Sequence, residues 1–232
     1  MRILNALKSD VKFQFKQGFY FVYIILTLLY MIVIGQIPNK FINYVVPIVI
    51  FTDPSFIGFF FIGGIVMLEK IQGVLQYLVI TPLSPKEYLI SKTISLTILA
   101  ELAGFAITLV TYKDSFNWII LFLGILLTSI FYTLYGFIVA SGCNTINQYF
   151  VKMIPYLLIL IIPLLVYFSF PNITVLKAMP PVSGFNLIYG AFNGIKLIEA
   201  LGYIAYMSVI NFFTLLIVEN IFIKNIIKGG AL

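Results

Sequence analysis

Along the chain, long apolar runs alternate with short polar connections, and the runs are too long for strands or ordinary core helices. A membrane-crossing helix needs about 20 mostly apolar residues, because each residue rises about 1.5 Å across a hydrocarbon core of about 30 Å. Five stretches meet that standard: 19–37, 88–111, 117–141, 153–170 and 201–222. A sixth lies within 44–68, where Pro47, Asp53 and Pro54 interrupt the run. That pattern predicts a short or re-entrant piece over 44–52, then a helix from Pro54 to Leu68 whose first turn is capped by the Asp53 carboxylate. The expected fold is all-α and polytopic, with six transmembrane helices in a single domain, 1–232.

Three segments follow a different pattern. In residues 1–18, Ile3, Leu4, Leu7 and Val11 fall at helical spacing, while Lys8, Lys12 and Lys16 recur every four residues on another stripe. This predicts an amphipathic helix lying in the membrane interface with its lysines near anionic headgroups, the alternative being an ordinary basic flank. In residues 69–79, Ile71, Val74, Leu75 and Leu78 share one face, and Glu69, Gln72, Gly73 and Gln76 take the other. The turn Thr81-Pro82-Leu83 stops this helix, and Ser84-Pro85 suits an N-cap followed by proline at the first position of the next. A surface helix ending in a stiff turn can receive a push from a partner, but periodicity alone makes a plain connector an equal reading. In residues 171–200, Pro180 and Pro181 break the connection, and 182–198 is apolar enough for a helix that re-enters the bilayer. Asn172-Ile173-Thr174 matches a glycosylation sequon, a pattern too common by chance to carry weight.

Composition supports the membrane reading. Of 232 residues, 62% are hydrophobic and 9% charged, against about 45–50% and about 25% in soluble domains. Too few polar side chains remain to coat a globule in water. The net charge of +6 is a topology signal rather than a nucleic-acid patch, since the cations fall between the apolar runs. With both termini cytoplasmic, that side holds Arg2, Lys8, Lys12, Lys16, Lys70, Lys86, Lys92, Lys152, Lys224 and Lys228. The outside holds only Lys40, Lys113, Lys177 and Lys196, as the positive-inside rule requires. The expected location is therefore a cell membrane, the bacterial plasma membrane, without a cleavable signal peptide.

The chemistry is sparse. There is no histidine, no nucleotide-binding Gly-x-x-x-x-Gly-Lys-[Ser/Thr] loop and no Gly-x-Ser-x-Gly, so neither catalysis nor a bound cofactor or metal is expected. The lone Cys143 reads as a small packing residue. One ionisable side chain, Glu101, falls in mid-span, flanked at helical spacing by Thr97, Gly104, Phe105 and Thr108. Carboxylates at such depth are costly and face a cavity or a partner. Glu101 is therefore the candidate translocation-path residue, with a bundle-facing structural role as the alternative.

The stretch "LEKIQGVLQYLVITPLSPKEYLISK", with the preceding "DPSFIGFFFIGGIVM", resembles permeases of the ABC type-2 exporter family, most strongly the fluoroquinolone-export permease branch. The matching positions are Glu69, Lys70, Gly73, Leu75, Leu78, Thr81, Pro82, Leu83, Tyr88, Leu89 and Lys92. The resemblance implies a half-transporter without bond chemistry of its own, pairing with a second copy as a homodimer. Two separate ATPase subunits, binding ATP and Mg, would drive it. Segment 69–87 would then be the coupling helix and turn, with Glu69, Lys70, Gly73, Gln76, Thr81, Pro82 and Leu83 forming the ATPase-coupling interface. The cargo would be a hydrophobic or amphiphilic compound such as a drug, peptide or lipid. Two other readings remain: a stand-alone ion- or proton-coupled carrier using Glu101, and an intramembrane enzyme or scaffold. The first lacks the inverted repeats common in secondary transporters, and the second lacks a nucleophile–base pair.

Overall fold

The computed structural model describes residues 2–77, 83–170 and 173–227. Helix α1 (Arg2–Lys16) leads at a 67° bend into α2 (Phe19–Ile34), and α3 (Asn39–Thr52) is followed by α4 (Ile57–Ile71). After the short α5 (Val74–Tyr77) come α6 (Pro85–Thr111), α7 (Trp118–Ser141) and α8 (Ile146–Ser169). A 3-10 turn over Thr174–Ala178 precedes α9 (Pro180–Asn193), and α10 (Leu197–Phe222) ends in a π turn, Ile223–Ile227. Among the described residues there is no strand. Five segments are long and apolar enough to cross a bilayer, and a sixth is obtained when α1 and α2 are taken together. The α2 segment alone has 16 residues, about 24 Å of helix.

Helix α7 is the central post, packed against α4, α6, α9 and α10. Its most apolar stretch is 61% buried, against 17% for α8 and 22% for α10. The last two therefore present most of their surface outward. Between α4 and α7 the backbones meet closely: a Cβ on Gly136 would stand 2.6 Å from Ile62 Cγ2 and 3.1 Å from the Phe59 backbone. Small residues at such crossings allow the dispersion contacts that hold helices together where lipid removes the hydrophobic drive. Aromatic rings fill the adjoining core, with Phe56 stacked on Tyr132 at a centroid distance of 3.7 Å.

Two expectations are corrected in the segment 39–71. Pro47 lies inside α3 rather than breaking it. Proline lacks the N–H that would satisfy the carbonyl four residues back, here Asn43, and Asn193 Nδ2 donates to that oxygen at 3.0 Å instead. The break comes at 53–56. Nor does Asp53 cap α4, which starts without a side-chain cap; its carboxylate accepts from the Tyr23 hydroxyl at 3.0 Å. By contrast, Ser84 is the N-cap of α6 with Pro85 first in the helix. Ser84 Oγ accepts from Glu87 N at 3.2 Å and Glu87 Oε2 from Ser84 N at 2.8 Å, a reciprocal capping box.

Helix α9 stands where a helix was expected over 182–198, but it spans Pro180–Asn193 and packs on α3, α7, α8 and α10. The proline pair starts it rather than breaking the connection, since Pro180 needs no N–H partner in the first turn. The sequon's Asn172 lies outside the described residues.

Candidate functional site

The first turns of α6 carry a polar stripe, Tyr88, Ser91, Lys92 and Ser95, at spacings that share one helix face. Opposite it, α1 presents Asp10 and Gln14, one turn apart and both buried. Glu69 reaches in from the last turn of α4 and is also buried. Lys92, only 2% exposed, pairs with both carboxylates, Asp10 Oδ1 and Glu69 Oε1. The second oxygen of each carboxylate takes a hydroxyl: Ser91 donates to Asp10 Oδ2, and Tyr88 to Glu69 Oε2 at 2.6 Å. Gln14 Nε2 donates to Ser95 Oγ at 2.6 Å alongside. The ammonium also lies 5.1 Å from the centre of the Tyr88 ring and 5.7 Å from that of Phe13. Burying charge is expensive unless every lone pair and proton is used, and here the charged atoms are all used. Three helices are thereby fixed to one ammonium.

This arrangement bears on two readings of the sequence. Glu69, which the resemblance assigns to an ATPase-coupling interface, turns its side chain inward to Lys92 and Tyr88. The expected helix over 69–79 is divided, because Glu69, Lys70 and Ile71 complete α4 and the chain then turns at Gln72–Gly73. Gly73 sits at φ 74°, a left-handed conformation that costs other L-residues roughly 1–2 kcal/mol. Among the described residues, Val74–Tyr77 resumes as helix, and 78–79 of the expected helix lie outside them. The apolar stripe is split accordingly, with Leu75 buried and Ile71 and Val74 exposed. Leu83 packs partly buried against the core. Thr81 and Pro82, with the Gln76 side chain, lie outside the described residues.

Lys70 is exposed and reaches the α7–α8 turn, donating to Asn144 Oδ1 at 2.6 Å. Lys152 donates to the Gly142 carbonyl of the same turn at 2.7 Å. Cys143, between them, is buried, its thiol held above the usual range by desolvation and directed at the Val139 carbonyl. It is a packing residue, as expected. Among the described residues, no three His, Cys, Asp or Glu side chains converge as metal ligands.

Glu101 is handled differently. It lines an apolar groove of about 250 Å³ between α6 and α7, with Ile94, Thr97, Ile98, Leu102, Phe122, Leu126 and Ile130. Both carboxylate oxygens are buried, and although the Leu126 backbone is near, neither makes a hydrogen bond. Another cavity, of about 650 Å³, lies elsewhere, around Ser115–Ile120 and Gly190–Ile195, and no ionisable side chain lines it.

The bundle of long apolar helices, with a buried polar junction at one end, is that of a multi-pass membrane protein. The sequence profile of the fluoroquinolones export permease protein family matches residues 1–229, and the chain belongs to that family. It is similar to two proteins named fluoroquinolones export permease protein, from Mycobacterium tuberculosis strains CDC 1551 and H37Rv. Each is 27% identical over 198 residues, spanning 84% of this chain and 83% of the relative.

The sequence places Lys92 among the basic residues of one membrane side and, with Glu69 and Tyr88, among the positions of the family resemblance, but does not single out Asp10. The signal that could have found the junction was the polar stripe 88, 91, 92, 95 inside a segment otherwise apolar enough to span.

Proposed function

We propose that the chain is the membrane subunit of an ATP-driven exporter, working with a second copy of itself and with two separate ATPase subunits that bind Mg-ATP. The chain itself carries out no bond chemistry. The observation that supports this reading best is the Lys92 junction, which ties α1, α4 and α6 together beside the Gly73 turn. A load applied to the α4–α5 corner reaches two further helices through fixed ion pairs, without crossing a loop. Glu69 holds that corner from inside, while the contact with the ATPase is assigned to Lys70, Gly73, Gln76, Thr81, Pro82 and Leu83. This end, with both termini, faces the cytoplasm of a bacterial plasma membrane, in keeping with the lysine distribution. The missing nucleotide loop fits an ATPase on another chain, and the relatives' names favour a drug-like amphiphilic cargo.

Co-expression with an ATPase encoded beside the gene tests the reading. A complex should purify intact and move cargo only with ATP, and Gly73→Trp should leave ATP hydrolysis running while transport falls to background. Failure of any complex to form, or full transport by the Gly73→Trp variant, would overturn it. A second reading, a proton-coupled carrier, draws on the unpartnered Glu101. It requires transport on a proton gradient by this chain alone.

A further inference from the structure

The Glu101 groove does not end at Ile94 and Ile130. Those two residues also line a second groove of about 260 Å³, formed with Ile90, Thr93 and Leu134 and closed on its far side by Asn211, Phe212 and Leu215 of α10. The joined trough runs along α6, and each half approaches the low end of drug-sized pockets, about 300–1,000 Å³. Its rim is open, with Ile98, Leu102, Phe122 and Phe212 all exposed to the lipid side of the bundle. Almost no polar surface lines it. The few polar atoms present are therefore conspicuous.

Those atoms are mainly acceptors without donors. Glu101 Oε1 and Oε2 and Asn211 Oδ1 are buried and unpartnered, and so is Thr97 Oγ1. Thr97 and Asn211 are more than nine-tenths buried, at 6% and 7% exposure. Asn211 spends its amide N–H on the Leu127 carbonyl at 2.9 Å, leaving its oxygen free. Thr93, one turn before Thr97, donates to the Leu89 carbonyl at 2.8 Å, whereas Thr97 makes no such bond. A buried acceptor left alone costs about 1–3 kcal/mol, more when charged, so this trough lacks something that donates.

Taking the chain as an exporter subunit, we infer that this trough is a lateral binding site for a lipophilic amine in its cationic form, drawn from the bilayer. The ammonium pairs with Glu101, its N–H groups also serve the free oxygens nearby, and the apolar body lies along Ile94, Ile130 and the Phe122 ring. A second copy of the chain fits the trough less well. Among the described residues, and apart from those on α1, every lysine lies within about two turns of a helix end or in a connection. None stands free at the depth of Glu101, and Lys92, which comes nearest on α6, is already committed to two carboxylates.

The lone tryptophan, Trp118, supplies the readout, because it stands one turn before Phe122 on α7. Energy transfer from Trp118 to pyrene is measured for the full chain in nanodiscs of neutral phosphatidylcholine. The probes are 1-aminomethylpyrene, a cationic amine, and 1-hydroxymethylpyrene, its neutral isostere. The amine should bind about tenfold or more tightly than the alcohol, as charge-assisted hydrogen bonds outweigh neutral ones. Glu101→Gln should abolish that preference by bringing the amine's affinity down to that of the alcohol, and Ile98→Phe, which narrows the trough without touching the carboxylate, should weaken both probes. Equal binding of the two probes to the wild-type chain, or an amine preference that survives Glu101→Gln, overturns the inference. So does efficient cross-linking between two copies through Leu102→Cys on a Cys143→Ser background, since a second copy would then fill the trough. No ATPase takes part, so a failure here leaves ATP-driven transport standing, and a failure of ATP coupling leaves the amine preference standing.

Discussion

Lys92 and Glu101 lie on the same helix, about two and a half turns apart, and their surroundings differ in kind. Around Lys92, each carboxylate gives one oxygen to the ammonium and the other to a hydroxyl. Around Glu101, neither oxygen has a partner and the walls are apolar. A saturated network is a fastening, because removing any member strands another. An unsaturated carboxylate has nothing to fasten, and the protein loses little when it is neutralised. We read the saturated site as a mechanical joint and the unsaturated one as a binding position.

Breaking the joint should give the largest effect. Lys92→Met leaves Asp10 and Glu69 buried without their cation and should cost about 3–5 kcal/mol, read as a fall in thermal midpoint in detergent. The triple variant Asp10→Asn, Glu69→Gln, Lys92→Met should recover most of that loss, because no charge is then stranded. Gly73→Val acts beside the joint and should cost roughly 1–2 kcal/mol through its left-handed backbone, with a greater loss in ATP-driven transport than in stability. Gln14→Ala removes one neutral hydrogen bond to Ser95 and should cost about 1 kcal/mol, checked in the same melts. Glu101→Gln should not lower stability, because the buried acceptors it replaces are already unpartnered, at a cost of about 1–3 kcal/mol each. A Glu101→Gln loss as large as that of Lys92→Met would erase the contrast between the two sites.

The sequence made the spans legible because apolar length is a property of each segment by itself. The Ser84 cap and the exceptional position of Glu101 were legible for the same reason. The junction was not, because it joins residues 10, 69 and 92, and periodicity reports which face a residue takes without saying what it meets. On α1 the regular lysines dominate the pattern, yet the single acid among them makes the buried contact. Pro47 misled for a related reason: the carbonyl it frees is satisfied by Asn193, 150 residues away from Asn43. Gly73 was singled out within the 69–79 helix, but its positive φ, which divides that helix, became visible only in the folded chain.

The most direct measurement is cargo uptake into inside-out proteoliposomes, comparing this chain alone with the complex formed with its ATPase. The account predicts uptake only when the complex and ATP are both present, falling to background in Gly73→Trp and insensitive to collapse of the proton gradient. Uptake by this chain alone on a proton gradient, lost in Glu101→Gln, would contradict it.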